Sequence, residues 1–223
     1  VDLAACHFFE DSNGRYSYQI EAAETIPYSE RWVADLQQAR SASLLAGLSL
    51  DQEYGAYLGD LVQDFQKRKK LTASLISSHG HTIHHNAEER LSVQLGAGAA
   101  IQAKTRIPVV SDFRQGDLHL GGQGAPLTPV GDERLFHAYQ YCLNLGGIAN
   151  ISFTAPSGKR VALDVAPCNQ VLNHLSGQAG LSYDQDGKLA REGAPEQGLL
   201  DTLNALPFYQ QTGPRSLDRS DIE

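Results

Sequence analysis

The sequence has no methionine, a single tryptophan and only three cysteines among its 223 residues. Cys6, Cys142 and Cys168 are too few and too scattered for a disulfide framework or a zinc knuckle, so we expect reduced thiols in a cytoplasmic protein. No apolar run approaches the roughly 18 residues that a membrane helix needs, so no membrane association is predicted. The formal net charge of −8 argues against binding to nucleic acid, which requires a basic surface.

The absence of methionine coincides with a strand-like pattern that already begins at residue 1, in the stretch VDLAAC. A strand at that position normally has chain before it. We therefore expect the natural protein to extend beyond this sequence.

Strand-like and helix-like patterns alternate along the chain, which is typical of an α/β protein. An Asn-Gly pair at Asn13 and Gly14 predicts a hairpin between the first two strands. A helix is predicted from Ser29, and Asp51 is predicted to cap a second one. Further predictions are strands at residues 73–77, 107–110 and 161–163, a helix at 133–141, two strands around a Gly-Gly turn in 142–153, a helix capped by Asn169, and a boundary near Tyr141 that separates domains 1–141 and 142–223.

Asp164 follows the apolar strand pattern Val161-Ala162-Leu163. A carboxylate at the end of a strand is held rigidly and partly desolvated, which suits a general base. A capping or turn aspartate would have the same spacing, so the pattern alone leaves both interpretations open.

The segment LNLGGIANIS combines glycines at a strand turn with two asparagines. Glycine lets backbone N–H groups approach a phosphate, because no Cβ is in the way. Asn144 and Asn150 add neutral donors around Gly146 and Gly147. An ordinary hairpin is the alternative, since the segment is neither a Walker loop nor a dinucleotide fingerprint.

A second glycine-rich segment, GGQGAP, follows a group of charged residues. Arg114 would grip a carboxylate through two nitrogens, while Asp112 and Asp117 would accept hydrogen bonds from hydroxyl groups. This combination suits a polyhydroxylated ligand that carries a carboxylate. A structural ion pair is the alternative interpretation.

Four histidines, at positions 79, 81, 84 and 85, form a conspicuous cluster. Their spacing does not match the helical two-histidine motif of zinc enzymes, and no further ligand is evident nearby, so no metal site is predicted. A hydrogen-bonding role for His79 or His81 at a strand end is favoured.

Taken in series, the motifs closely resemble those of the bacterial 1,6-anhydro-N-acetylmuramic acid kinases. The resemblance covers nearly the whole chain and weakens after Arg215. It rests on five segments in order: SHGHTI at 78–83, SDFR at 111–114, GGQGAPL at 121–127, LNLGGIANIS at 143–152 and DVAPCN at 164–169.

The resemblance implies the actin-like, ribonuclease H-like ATPase fold, with two related domains and a cleft between them. It implies ATP-dependent cleavage of the 1,6-anhydro ring of anhydro-N-acetylmuramic acid and phosphorylation of O6, with ATP and Mg²⁺, in peptidoglycan recycling. A homodimer is a further implication. The resemblance also assigns Asp164 as the catalytic base. The sugar-binding residues that it implies are His79, Asp112, Arg114, Asp117 and Gln123. The nucleotide-binding residues that it implies are Asn144, Gly146, Gly147 and Asn150.

The resemblance also implies that phosphate-contacting and adenosine-contacting segments lie outside this sequence, so the chain is expected to be truncated at both ends and inactive alone. Two other functions stay open at this point. One is another sugar kinase of the same fold. The other is a non-catalytic, chaperone-like ATPase fragment, because a fold does not fix a function.

Overall fold

The computed structural model describes residues 1–213, 215 and 217. Contacts divide the chain into two compact units, Val1–Leu127 and a second unit that begins at Thr128. The division falls earlier than the predicted domain boundary near Tyr141, which stays a prediction. Each unit is described by itself below.

The first unit opens with the predicted hairpin, in which β1 (Asp2–Glu10) pairs antiparallel with β2 (Tyr16–Thr25). The carboxylate of Asp11 accepts the backbone N–H groups of Asn13 at 2.8 Å and Arg15 at 2.9 Å. This aspartate therefore closes the turn around the Asn-Gly pair, which confirms the hairpin prediction.

Two helices follow, α1 (Glu30–Gln38) and α2 (Leu44–Lys69). The prediction of a helix from Ser29 is confirmed, because the Ser29 hydroxyl accepts the N–H of Trp32 at 3.3 Å. The capping role predicted for Asp51 is wrong. Ser43 caps α2 through a 3.4 Å bond, so the helix starts earlier and contains Asp51 in its interior.

Short strands and helices complete the first unit. The strands β3 (Ile76–Ser77) and β6 (Val109–Val110) pair in parallel. The strands β4 (His81–Asn86) and β5 (Leu91–Leu95) form an antiparallel hairpin that the sequence patterns did not predict. The two parallel strands lie within the predicted segments 73–77 and 107–110 but are only two residues long. The elements are β3 (Ile76–Ser77), β4 (His81–Asn86), β5 (Leu91–Leu95), α3 (Gly98–Thr105), β6 (Val109–Val110) and α4 (Phe113–His119).

The core of the first unit lies where the apolar face of α2 meets α1, α3 and the short strands. Burial there removes several large side chains from water, which is the main favourable term in folding. The buried members of this cluster are Trp32, Leu36, Ala39, Tyr54, Leu58, Ile76, Leu95 and Ile101.

The second unit is built on a three-stranded antiparallel sheet. Its strands are, in order across the sheet, β7 (Tyr141–Leu145), β8 (Ile148–Thr154) and β9 (Arg160–Pro167). The two strands predicted around the Gly-Gly turn are β7 and β8, which confirms that prediction. The elements of this unit are α5 (Thr128–Leu135), β7 (Tyr141–Leu145), β8 (Ile148–Thr154), β9 (Arg160–Pro167), α6 (Asn169–Gln178), α7 (Lys188–Glu192), α8 (Gln197–Asn204) and α9 (Pro207–Gln210).

Two helix boundaries differ from prediction. The helix expected at 133–141 lies at Thr128–Leu135, because Pro129 fits the first turn of a helix and Tyr141 already belongs to β7. Asn169 does not cap α6 but begins it, and its side-chain amide donates to the carbonyl of Leu145 at 3.0 Å.

The mixed α/β class predicted from the sequence is confirmed by both units. Within the part of the chain that the structure describes, no helix combines the length and apolar character needed to cross a membrane.

Candidate active site

Three of the predicted site residues form one row across the sheet of the second unit. Asn144 pairs with Asn150 across β7 and β8, and Asn150 pairs with Asp164 across β8 and β9. Directly paired residues of antiparallel strands point to the same face, with Cβ atoms about 5 Å apart. The structure therefore places two neutral amides and one carboxylate side by side on one face.

Asp164 lies inside β9, three positions before Pro167, and not at the strand end that the sequence predicted. The difference arises because β9 continues its pairing with β8 as far as Pro167. The Asp164 backbone N–H donates to the carbonyl of Arg215 at 2.9 Å, and its Oδ2 accepts the backbone N–H of Leu217 at 2.8 Å. These bonds fix the direction of the carboxylate.

The Gly146–Gly147 turn docks onto the start of α6. The carbonyl of Gly147 accepts the N–H groups of Cys168 at 2.9 Å and Gln170 at 3.1 Å, and that of Gly146 accepts the N–H of Asn169 at 3.1 Å. A Cβ at either glycine would meet no atom of the described chain nearer than 3.4 Å. Packing against the described residues therefore does not require glycine at these two positions, and the backbone of the turn is open on this side.

Arg114, on α4 of the first unit, is half-buried and has no counter-ion among the described residues. Its Nη1 donates to the carbonyl of Gly124 at 2.7 Å, and its Nη2 donates to His79 Nε2 at 2.9 Å. Its Nε is buried with no hydrogen-bond partner among the described residues. No ion pair in the described part of the chain includes this guanidinium.

Within the described part of the chain, the guanidinium of Arg114 is thus hydrogen-bonded only to neutral groups. Burial lowers the pKa of the guanidinium, but arginine is so strong a base that it keeps its proton in proteins. A half-buried cation with neutral partners and a spare N–H is suited to an incoming anion, and the fork geometry of guanidinium favours a carboxylate or a phosphate.

His79 binds Arg114 through a defined tautomer. The guanidinium can only donate, so Nε2 of the ring accepts and the ring proton lies on Nδ1. That Nδ1 then donates to the carbonyl of Gly80 at 3.0 Å. Both ring nitrogens are therefore engaged inside the protein, and His79 supports Arg114 in this arrangement.

The remaining predicted sugar residues lie in or beside the same loop. The Asp117 carboxylate accepts the N–H of Gly124 at 2.7 Å, so it holds the glycine-rich segment. The side chains of Asp112 and Gln123 are exposed, and Asp112 has a left-handed backbone with φ of 57° at the start of α4. Arg114 and His79 are thus joined directly, whereas Arg114 and Asp117 are connected through the backbone of Gly124.

The histidine cluster is divided between separate partners. His85 Nδ1 lies 3.0 Å from the Ser92 hydroxyl in the β4–β5 hairpin, while His79 serves Arg114. Among the described residues, no group of three or more histidine, cysteine or acidic side chains is placed to hold a metal ion.

His81 gives the first unit a measurable acid sensitivity. Its burial, and secondarily the positive charge of Arg40, lowers its pKa below the usual value of about 6.5. The unfolded chain therefore binds this proton more tightly, and the folded state loses stability as the pH falls below that value. The free energy of unfolding of the wild type should fall more steeply from pH 7 to pH 5 than that of His81→Gln, measured by urea denaturation. Parallel curves for the two proteins would contradict this assignment.

The sequence patterns gave Asp51 only a capping role and missed its place near Asp112. Its carboxylate accepts the N–H of Gly96 at 2.8 Å. Burial raises the pKa of Asp51, and the nearby negative charge of Asp112 adds to this effect. Helical periodicity carries no signal for such a bond, because the partner lies 45 residues away.

The described residues define a mixed α/β protein in which the predicted site residues form two groups, one in each unit. A family model described as anhydro-N-acetylmuramic acid kinase matches residues 4–222. The chain belongs to the anhydro-N-acetylmuramic acid kinase family, which confirms the resemblance seen in the motifs.

Curated relatives agree with this family. A protein of Zymomonas mobilis named anhydro-N-acetylmuramic acid kinase is 33% identical over 95% of this chain and 63% of its own length. A protein of the same name from Methylobacterium nodulans is 38% identical over 72% of the chain and 46% of its own length. A third protein of this name, from Acidiphilium cryptum, is 40% identical over 66% of the chain and 42% of its own length. The chain thus spans less than two thirds of the length of these relatives.

Proposed function

We propose that the protein containing this chain is an ATP-dependent kinase that opens 1,6-anhydro-N-acetylmuramic acid and phosphorylates its O6. The product is N-acetylmuramic acid 6-phosphate, and the process is cytoplasmic recycling of the bacterial cell wall. The observation that carries the proposal is the row of Asn144, Asn150 and Asp164 on one face of the sheet, in a chain of this family.

In this reaction Asp164 is the general base. It removes one proton from a water molecule, whose oxygen bonds to C1 of the sugar while the bond between C1 and O6 breaks. The released O6 attacks the γ-phosphorus of ATP, and ADP leaves. The hydrogen bond from Leu217 to Oδ2 holds the carboxylate in one direction, which favours proton transfer from a fixed position.

Asn144 and Asn150 contribute neutral donors for the phosphates of ATP, and Gly146 and Gly147 leave the backbone open to them. Magnesium stabilises the developing charge on the phosphates when it is bound. In kinase sites magnesium is commonly held by substrate phosphates and water together with one or two carboxylates.

The first unit binds the sugar. The lactyl group of N-acetylmuramic acid ends in a carboxylate, and Arg114 offers a half-buried guanidinium that no described residue pairs as a counter-ion. Asp112, Asp117 and Gln123 would contact the hydroxyl and amide groups. The actin-like fold and a homodimer are proposals that accompany this function, and light scattering of the complete protein tests the latter.

The function is tested by incubating the complete protein with ATP, Mg²⁺ and the anhydro sugar labelled with ¹⁸O at O6. We expect N-acetylmuramic acid 6-phosphate that keeps ¹⁸O in the phosphate ester, measured by mass spectrometry. N-acetylglucosamine without an anhydro ring serves as the control substrate for a different sugar kinase. ATP hydrolysis that ignores the anhydro sugar would contradict the proposal and favour the chaperone-like alternative.

A further inference from the structure

Asp51 holds the turn between β5 and α3 with two groups at once. Its side chain accepts the N–H of Gly96 at 2.8 Å, and its main-chain carbonyl accepts the N–H of Ala97 at 3.2 Å. Consecutive N–H groups of the turn are thus bound to one residue in the interior of α2. We name residues 96–98 the glycine turn.

The glycine turn packs by its backbone against its neighbours. Gly96 has φ of 118°, and a Cβ built on it would lie 3.1 Å from Leu58 Cδ1 and 3.5 Å from Gly80 Cα. A Cβ on Gly98 would lie 2.6 Å from the Ser111 hydroxyl. Little space separates the turn from these groups, so a displacement of the turn must move them as well.

One of these neighbours leads directly to the proposed carboxylate site. The carbonyl of Gly80 accepts the Nδ1–H of His79, and Nε2 of the same ring accepts the guanidinium of Arg114 at 2.9 Å. Three contacts therefore connect the glycine turn to Arg114, through Gly80 and His79. This path consists of hydrogen bonds and backbone packing, which restrict the movement of the His79 ring and the Arg114 guanidinium.

The other neighbour leads to the second predicted sugar residue. Ser111, which the glycine turn contacts at Gly98, directly precedes Asp112 at the start of α4. The negative charge of Asp112 contributes to the raised pKa of Asp51, so the two carboxylates lie within electrostatic reach. Through the glycine turn, Asp51 is consequently connected to both segments that carry the predicted sugar residues.

We propose that Asp51 is a positioning residue for the sugar site, because its carboxylate fixes the glycine turn on which the His79–Gly80 and Ser111–Asp112 segments rest. This inference rests on the proposed function for the identity of the ligand. A purely structural role for Asp51 is the competing explanation, and it predicts lost stability without any change in ligand preference.

The test compares Asp51→Ala, Asp51→Asn and Asp51→Glu in the complete protein. The matched control is Asp60→Ala, which removes another α2 carboxylate that joins α2 to α3, through Lys104 at 2.9 Å, away from the glycine turn. Affinity for anhydro-N-acetylmuramic acid is measured by calorimetry. The anhydro sugar of N-acetylglucosamine, which lacks the lactyl carboxylate, shows how much affinity the carboxylate adds.

We expect Asp51→Ala to weaken binding of the carboxylate-bearing sugar roughly tenfold or more, with a smaller effect on the other sugar and none on ATP. Asp51→Asn keeps an oxygen for the Gly96 N–H, so it should restore most of the affinity. Asp51→Glu keeps the charge but displaces it by one methylene, so it should weaken binding and gives a second measurement if the alanine variant does not fold. Asp60→Ala should leave both affinities unchanged.

A ligand-free readout separates this inference from the proposed function. The ¹⁵N chemical shifts of the His79 ring should report an Nδ1–H tautomer in the wild type and in Asp51→Asn, and a mixture of tautomers in Asp51→Glu. If the wild type binds no anhydro sugar, the function is wrong and these shifts still decide the role of Asp51. An unchanged tautomer with an unchanged preference between the sugars would overturn the positioning role.

Discussion

Replacing Asp164 with asparagine is expected to lower the turnover of the complete protein by about 10²–10⁴, the usual loss when a general base is removed. The amide is nearly isosteric and keeps an oxygen that accepts the N–H of Leu217, so the direction of the side chain is preserved. It cannot take a proton from water at neutral pH. The loss should therefore appear in kcat, measured as formation of the sugar phosphate, with little change in the KM for ATP.

The matched control is Asp184→Asn in the same unit. The carboxylate of Asp184 also accepts backbone N–H groups, from Leu189 at 2.9 Å and Ala190 at 3.1 Å, and this lowers its pKa. It caps a local turn and has no assigned chemistry, so its replacement should leave turnover within about twofold. Turnover by folded Asp164→Asn close to that of the wild type would remove Asp164 from the role of base.

Much of the fold follows from local signals in the sequence. The Asn13-Gly14 pair specifies the first hairpin, and Ser29 with Trp32 and Leu36 specifies the first helix through capping and periodicity. The β4–β5 hairpin escaped prediction because β4, HTIHHN, is rich in histidine and polar residues, although β5, LSVQL, alternates apolar and polar side chains. Their pairing depends on neighbours in the fold, which a local pattern does not report.

The candidate site was likewise predictable only in part from the sequence. Motif order identified Asn144, Asn150 and Asp164, but only the register of the strands brings these three residues into one row. Likewise, the charge of Arg114 is evident in the sequence, whereas the neutral partners that it has among residues 1–213 depend on which groups the fold brings beside it. Asp51 was misassigned because an aspartate in a helical pattern resembles a cap, and its partner Gly96 is distant in sequence.

Replacing Arg114 with alanine is expected to weaken binding of anhydro-N-acetylmuramic acid by about 10–100-fold, because hydrogen bonds to a charged group contribute about 1.5–3 kcal/mol. ATP affinity should change far less, since the predicted phosphate-binding residues belong to the other unit. Calorimetry with each ligand measures both effects. Arg114→Lys should recover only part of the affinity, because an ammonium group lacks the planar fork that grips a carboxylate through two nitrogens.

Arg31→Ala provides the contrast, since this guanidinium is already bound to Asp35 at 3.1 Å and Glu53 at 2.7 Å and is largely exposed. Its removal should leave sugar affinity unchanged. The anhydro sugar without the lactyl carboxylate should bind the wild type and Arg114→Ala almost equally, because it offers the guanidinium no anion. Equal losses for the two sugars, or for sugar and ATP, would instead assign Arg114 to the packing of the Gly124 loop, to which it donates at 2.7 Å.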